Sequence, residues 1–545
     1  MFSPLPLLVG LLLAAASLTP SLIPRDWLTQ GLVAGASMAS GYVATQFFVA
    51  IWRTLEIPEP PARWARIGHL VLAVPVLALV GFCVGFSVTW QNSIRERMSM
   101  PLLEAADTLR VIGVALAVFL ALFILGLAFQ VLFNLLRRRL ARYIPARSAN
   151  VLGLALAVLV AVFLTRDGVV NNLFRMLDAS QVAAQHLMNP SQPAPAEDWR
   201  SGSAASQASW DLMGTPGRNY VLSGPSAADI TALTGKPAKE PLRIYVGRAQ
   251  NASAEERARI ALAEMERVGA FERKVLVVVS PTGTGWMDPA SFDALEYMHG
   301  GDIATVAVQY SFLQSPMALI FETSSGPDQA VALMRAVYDH WRTIPESRRP
   351  KLYMHGLSLG AWSSMQAFNP FQMMNEPVDG AFWVGPPFPS ALWQQANSAR
   401  QPGSPYVLPE VDDGEVIRYS SQFAAPERSG KPWGRLRILF LQYASDAITF
   451  YSPASLWRAP EWMREPPAAD VSPRLRFIPI VTQFQLAADM LIATSTPAGF
   501  GHLYDAKDYI DGWVSVTAPE GWTAADTARL KAHCGTNGLV GCANG

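Results

Sequence analysis

Charge and sulfur are scarce in this chain. Of its 545 residues only 16% are charged, the 43 basic and 43 acidic side chains cancel, and there are 3 cysteines. No basic run lies outside the apolar N-terminal third, so the electrostatic footprint of a nucleic-acid binder is missing. No C-x-x-C and no H-E-x-x-H occurs, which removes the signatures of a zinc site and of a thioredoxin-type redox site; neither metal nor cofactor is expected. What takes the place of charge is apolar: 50% of the residues are hydrophobic, more than an ordinary soluble domain carries, and part of the chain belongs in a bilayer.

That part is residues 1–165. Five apolar stretches near the roughly 20 residues that a bilayer core demands lie at about 5–24, 28–52, 67–90, 109–136 and 149–165. The first lacks the Lys or Arg that normally precedes a signal peptide's apolar core, and it is read as a span. Arginines orient the set, because loops kept in the cytoplasm are enriched in them. Arg137, Arg138, Arg139, Arg142 and Arg147 lie between spans four and five, and Arg53, Arg63 and Arg66 come after span two. The opposite loops carry Arg25, Arg95, Arg97 and Arg110. The N-terminus is then cytoplasmic and everything after Leu164 lies outside. Cys534 and Cys542 fit that compartment if they close a small disulfide loop, although two free thiols on the tail fit the sequence as well. Cys83 reads as packing inside span three.

Residues 166–240 read as a juxtamembrane helix (169–187) and then a Pro/Ser/Ala-rich linker, NPSQPAPAEDWRSGSAAS, with little to bury. From 241 to 545 short β-branched runs alternate with helical periodicity. Candidate strands are 242–247, 274–280, 303–310, 351–356, 380–385, 436–442 and 475–480, with helices such as Ala254–Val268 and Pro327–Trp341 between them. Near-continuous apolar strands of this kind predict an α/β fold with a doubly wound, mostly parallel sheet covered on both faces. The stretch 386–435 is too long for an ordinary connection and reads as an insertion of the lid or binding-loop type.

The strand at 351–356 runs into Gly356-Leu357-Ser358-Leu359-Gly360 and then a small-residue helical tail. A serine hydroxyl attacks only if it stands clear of its surroundings, and a sharp strand-to-helix turn flanked by glycines provides this; the motif is a nucleophile elbow. The serine needs a base, and the base needs a carboxylate to fix its tautomer. Elimination among seven histidines leaves one. His69 lies in a span, His186 in the tether, His299 and His340 before the serine, His355 on the elbow's own strand and His533 in the tail. His502 comes after the last expected strand, on the glycine-rich run PAGFGHLY. Asp446, just past the strand at 436–442, is the acid candidate. The oxyanion donors expected are the N–H groups of Leu359, directly after the nucleophile, and of Gly283 and Thr284 in the PTGTGW turn after the strand at 274–280. A phosphate cradle is the weaker reading of TGTG, since no Lys comes after it. Trp286, Trp362 and Phe388, with Met287 and Trp383, line an acyl pocket or belong to the core.

Together, five apolar spans and then SPTGTGWMDP, EYMHGGDIATVAVQYS, HGLSLGAWSS, GAFWVGPP, LQYASDAITFYSP and GHLY resemble a bacterial α/β-hydrolase family whose members join a multi-spanning N-terminal membrane region to a serine-hydrolase domain. The resemblance implies the α/β-hydrolase fold and the triad Ser358, Asp446 and His502; it brings no substrate. The expected protein is a multi-pass enzyme of the bacterial inner membrane with an extracytoplasmic catalytic domain. Its partners are the lipid bilayer and an acyl ester, lipid or envelope-borne, and it would cleave carboxylic esters through an acyl-enzyme on Ser358. Acyl transfer through the same intermediate, and a catalytically idle hydrolase fold on a membrane scaffold, are the alternatives. The lack of paired charges within 1–165 counts against a transporter.

Overall fold

The computed structural model describes residues 3–55, 57–105, 107–163, 192–313, 324–371, 373–428, 430–535 and 541–542. The helix expected at 169–187 lies outside the described residues. The chain forms two compact units, one of Met1–Ala179 with Tyr451–Pro467 and Val471–Ile492, the other of Ser180–Phe450, Ala468–Asp470 and Ala493–Gly545. The expected unbroken domain 241–545 is therefore interrupted: most of 451–492 belongs with the N-terminal helices.

The first unit contains α1 (Pro4–Ala16), α2 (Trp27–Thr54), α3 (Ala62–Arg95), α4 (Thr108–Leu140) and α5 (Ala146–Phe163). Among the described residues three helices, Trp27–Arg53, Ala62–Met98 and Thr108–Leu140, are long and apolar enough to cross a membrane. The first expected span is shorter than read, because α1 is 13 residues, or roughly 20 Å against a core of about 30 Å. Beyond it the hydroxyls of Ser17 and Thr19 bond back to the carbonyls of Ala14 and Ala16, and Pro20 and Pro24 cannot continue a helix. Tyr42 packs edge-on against Phe119 and Phe123, joining α2 to α4. The late segment docks within this unit through its helix Val481–Leu491. Asp489 accepts from Ser21 Oγ (2.9 Å) and Leu22 N–H (2.8 Å), and Gln485 Nε2 donates to Thr19 O (2.9 Å).

The second unit is built on a sheet of seven strands: β1 (Leu242–Val246), β2 (Val275–Ser280), β3 (Ile303–Val308), β4 (Lys351–Leu357), β5 (Gly380–Val384), β6 (Ile417–Ser420) and β7 (Arg437–Leu441). Their order is β1-β3-β2-β4-β5-β7-β6, and every pairing is parallel. Burial on both faces explains why six of these were legible as apolar runs. β6 was not: it sits inside the expected insertion 386–435, is short, and carries Arg418. That buried guanidinium lies over Trp433 and donates to the carbonyls of Gly414 and Lys431. The strand expected at 475–480 does not form. Pro479 has no N–H to give a ladder, while Ile480 N–H bonds to Leu456 O (2.9 Å) and Ile478 N–H to Thr482 Oγ1 (2.9 Å).

Residues 192–240 are no loose tether, as far as they belong to the described residues. They form α6 (Gly214–Leu222) and α7 (Ala227–Thr234), bury Arg218, Tyr220 and Ile230, and surround Glu264. That carboxylate accepts from Ser201, Ser206, the Gln207 N–H and Arg267. A Ser/Ala-rich stretch lacks an apolar face of its own, so its order comes from a buried acid on another helix, which no local pattern announces.

Register positions the site. Ser280 lies beside Gly356, Leu357 beside Val384, and Val384 beside Leu441. The carboxyl ends of β2, β4, β5 and β7 therefore finish level, and the segments after them emerge from one edge of the sheet, where parallel α/β folds gather their chemistry.

Candidate active site

Ser358 stands between β4 and the helix α8 (Leu359–Ala367). Its backbone has φ 57° and ψ −126°, a region that costs a non-glycine residue of order 1–3 kcal/mol and survives only where the surroundings enforce it. Two glycines do so. A Cβ on Gly356 would lie 2.3 Å from the Gly360 carbonyl carbon, and one on Gly360 would lie 2.1 Å from Ser280 O. The turn closes only with both side chains missing, and this presses the end of β2 against the elbow. The Ser358 N–H is held by Val384 O at 2.9 Å.

Asp446 stands just after β7 and is fully buried. It caps a one-turn helix, Ala447–Phe450, by accepting from the Ile448 N–H (2.9 Å) through Oδ1, a usual role for Asp at such a position. Its other oxygen, Oδ2, accepts from His502 Nδ1 (2.7 Å), Tyr504 Oη (2.7 Å) and Thr449 Oγ1 (3.1 Å). His502 is 8% exposed. With Nδ1–H committed to the carboxylate, Nε2 is a bare acceptor, and it has no partner among the described residues.

The glycine-rich run fixes the imidazole. Gly501 N–H donates to Ser445 Oγ (2.9 Å), next to the acid, and His502 N–H donates to Ala493 O (2.9 Å). The ring lies against the end of β5: a Cβ on Gly385 would come within 2.7 Å of His502 Cε1. Because Val384 binds the Ser358 N–H, serine and imidazole each meet one of two adjacent residues at the exit of β5, Val384 and Gly385. A positioned serine and an imidazole with a carboxylate on one nitrogen and no partner on the other are the parts that general-base activation of a hydroxyl requires.

The chain also matches known families over most of its length. Residues 242–530 match the Alpha/beta-hydrolase family and residues 18–225 match the Alpha/beta-hydrolase family N-terminus. The chain belongs to the alpha/beta-hydrolase family. No curated protein and no solved structure compared with it gives a match.

In this α/β-hydrolase the turn after β2 is pinned from two sides. Gly285 N–H donates to Thr282 O (2.9 Å) and Thr282 N–H to Trp286 O (3.2 Å). Tyr245 Oη donates to Gly285 O (2.8 Å), and Gln309 Nε2 donates to Thr284 O (2.9 Å). Gly283 and Thr284 thus lie at the tip of a braced turn whose base touches the elbow. Leu359 opens the helix after Ser358, in the turn whose N–H groups have no helical acceptor.

Trp286, Trp362 and Phe388 are half-buried and lie on that turn, on the first turn of the elbow helix, and three residues past Gly385. Phe388 N–H donates to Ile448 O (3.0 Å), two residues from the acid. Met287 and Trp383 are buried, and Trp383 Nε1 is spent on Ser364 Oγ (3.0 Å); these two belong to the core.

The other described histidines of this unit are engaged elsewhere. His355 donates through Nδ1 to Phe382 O (2.7 Å), and its Nε2 meets Ser291 Oγ (3.1 Å); burial holds it neutral, pushed down to about 4. His299 pairs with Thr517, His533 with Tyr297 and His340 with Glu266. Sequence reasoning missed Tyr504 and Gly385. The first stands two residues past the chosen histidine, and a Tyr at that offset was the available signal; nothing local marked the second.

Proposed function

We propose that this α/β-hydrolase is a membrane-anchored serine hydrolase that cleaves carboxylic esters. The observation that carries the reading is His502, buried, bound through Nδ1 to Asp446, with Nε2 unpartnered among the described residues and its ring against Gly385, the residue after the one that binds the Ser358 N–H. Ser358 Oγ gives its proton to Nε2 as it attacks the acyl carbon, and Asp446 stabilises the imidazolium. The tetrahedral oxyanion takes the N–H groups of Leu359 and of Gly283 or Thr284. Collapse returns the proton through His502 to the leaving alcohol, and water then repeats the sequence on the acyl-Ser358 ester.

Three helices long enough to cross a membrane favour an ester that reaches the enzyme from a bilayer or cell envelope, with Trp286, Trp362 and Phe388 along its acyl chain. Arginine-rich loops on one side, and the Cys534–Cys542 disulfide, which suits an oxidising compartment, support a multi-pass protein of the cell membrane with its catalytic unit outside the cytoplasm.

The test is fluorophosphonate labelling of the full-length protein, and then a p-nitrophenyl ester series of rising chain length. Labelling that vanishes in Ser358→Ala, with ester turnover lost in the same variant, is the expected result. A protein that neither labels nor turns over any ester in the series refutes the reading. If glycerol or a lipid alcohol diverts most of the acyl group into a new ester at concentrations far below that of water, the activity is acyl transfer.

A further inference from the structure

Within the first unit, α1, α2, α3 and α4 enclose a cavity of about 360 Å³. Its walls are mostly apolar, with Leu11, Ala34, Met38, Val84, Val111 and Leu116 facing the space. One end is polar, and there the side chains of Arg25 and Gln30, which are 4% and 6% exposed, reach the same cavity.

Arg25 Nη2 donates to Thr19 O (3.0 Å) and, more weakly, to Ser17 O (3.4 Å), and Gln30 Nε2 donates to Ser17 O (3.2 Å). Arg25 Nε and Nη1 and Gln30 Oε1 have no partner among the described residues. Buried polar atoms are normally satisfied, and a buried guanidinium with idle N–H groups points to an acceptor that completes it.

The neighbouring charges do not fill that role. Asp26 caps α2 through the Thr29 N–H (2.8 Å), Asp107 lies 3.6 Å from Arg110, and Arg95 Nε donates to Pro101 O (2.6 Å). Asp489 acts electrostatically on Arg25, but its oxygens are bound by Ser21, Leu22 and Ile23. A long apolar space between helices fit for a bilayer, closed at one end by an unspent positive charge, matches a single chemistry. We propose that the cavity binds one acyl chain bearing an anionic head group, a carboxylate or a phosphate, with the head on Arg25 and the chain between α1, α2, α3 and α4. Gln30 Oε1 accepts from a hydroxyl where the head carries one. This site is separate from Ser358 and does not depend on the proposed esterase activity.

The experiment uses full-length Ser358→Ala protein, so that no acyl-enzyme contributes, in nanodiscs of zwitterionic phosphatidylcholine. Three diazirine probes of equal chain length are compared: a fatty carboxylate, a lysophosphatidylglycerol and a neutral monoacylglycerol. Crosslinks are mapped by peptide mass spectrometry. Anionic probes should label the cavity-lining stretches of α1–α4 about tenfold or more above the neutral probe, as one charge-assisted hydrogen bond warrants; whichever labels more names the head group. Arg25→Gln should remove that preference. Because Arg25 also holds loop carbonyls, Ala34→Trp, which fills the space and leaves Arg25 in place, is the second variant and should abolish cavity labelling. Equal labelling by the neutral probe, labelling that survives Ala34→Trp, or crosslinks confined to outward-facing residues such as Leu70, Val74 and Leu125 would each overturn the proposal.

Discussion

Gly385→Ala is the sharpest probe of how His502 is held. Gly385 has φ +51°, and a Cβ there would lie 2.7 Å from His502 Cε1, 2.8 Å from Tyr504 Cε2 and 2.9 Å from Tyr504 Oη. The left-handed backbone alone costs an alanine roughly 1–2 kcal/mol. The contact costs more where it matters: reaching an ordinary carbon–carbon separation of about 3.5 Å means displacing the imidazole by roughly 0.8 Å from serine or acid. Misplacement on the order of 1 Å lowers turnover about 10²-fold. The expected outcome is therefore a kcat for p-nitrophenyl esters down about 10²-fold, fluorophosphonate labelling slowed in parallel, and a stability loss of about 1–3 kcal/mol.

Gly403→Ala is the matched control. Gly403 has φ +88° and nothing within 4 Å of an added Cβ, so it should lose the backbone share of stability and no activity. Wild-type turnover in Gly385→Ala would show that the imidazole placed against β5 is not the base, and the site as built would fall.

Three further expectations rest on named groups. Alanine at Asp446 or His502 should lower ester turnover roughly 10⁴-fold or more in protein with an unchanged circular dichroism spectrum, whereas His533→Ala should keep near-normal rates; the reverse pattern would reassign the base. Asp288 is pushed up to about 7 by burial, opposed by hydrogen bonds from Tyr509 and the Ala290 N–H. An unfolded Asp ionises near pH 4 while the folded one keeps its proton, so stability should fall as pH rises from about 4 to 7 and level off above. Asp288→Asn should flatten that slope in urea melts across the range, and an unaltered slope would show that another group sets it. Reporter fusions after residues 145 and 240 check the arginine-based orientation: phosphatase, which needs export, should be active only in the second.

How much was legible depended on whether the cause was local. The elbow was, because Gly356 and Gly360 sit two residues either side of Ser358 and the steric demand is met within five residues. The acid and base candidates were chosen one step less directly, from strand ends and chain order, since a parallel sheet delivers the loops at its strands' carboxyl ends to one edge. Gly385 was not legible, because its need for a missing side chain arises from a ring more than a hundred residues later. Tyr504, the second donor to Asp446, left only its place two residues past the histidine as a signal, and its role shows once the carboxylate it serves is located.

The sequence by itself determined the apolar helices, six of the seven strands and the chemistry of the triad candidates, because hydrophobic periodicity and turn sterics are short-range and survive without the fold. Only the tertiary structure decided the rest. Residues 192–240 are ordered by Glu264, a buried acid supplied from another helix. The stretch read as a last strand was claimed by Thr482 and Leu456 and went to the N-terminal unit. Arg25, read as a loop charge that helps to set orientation, proved to be a buried guanidinium with idle N–H groups. In each case what decides is how polar groups are satisfied, and hydrogen-bond satisfaction, unlike hydrophobic pattern, leaves no periodic trace in the sequence.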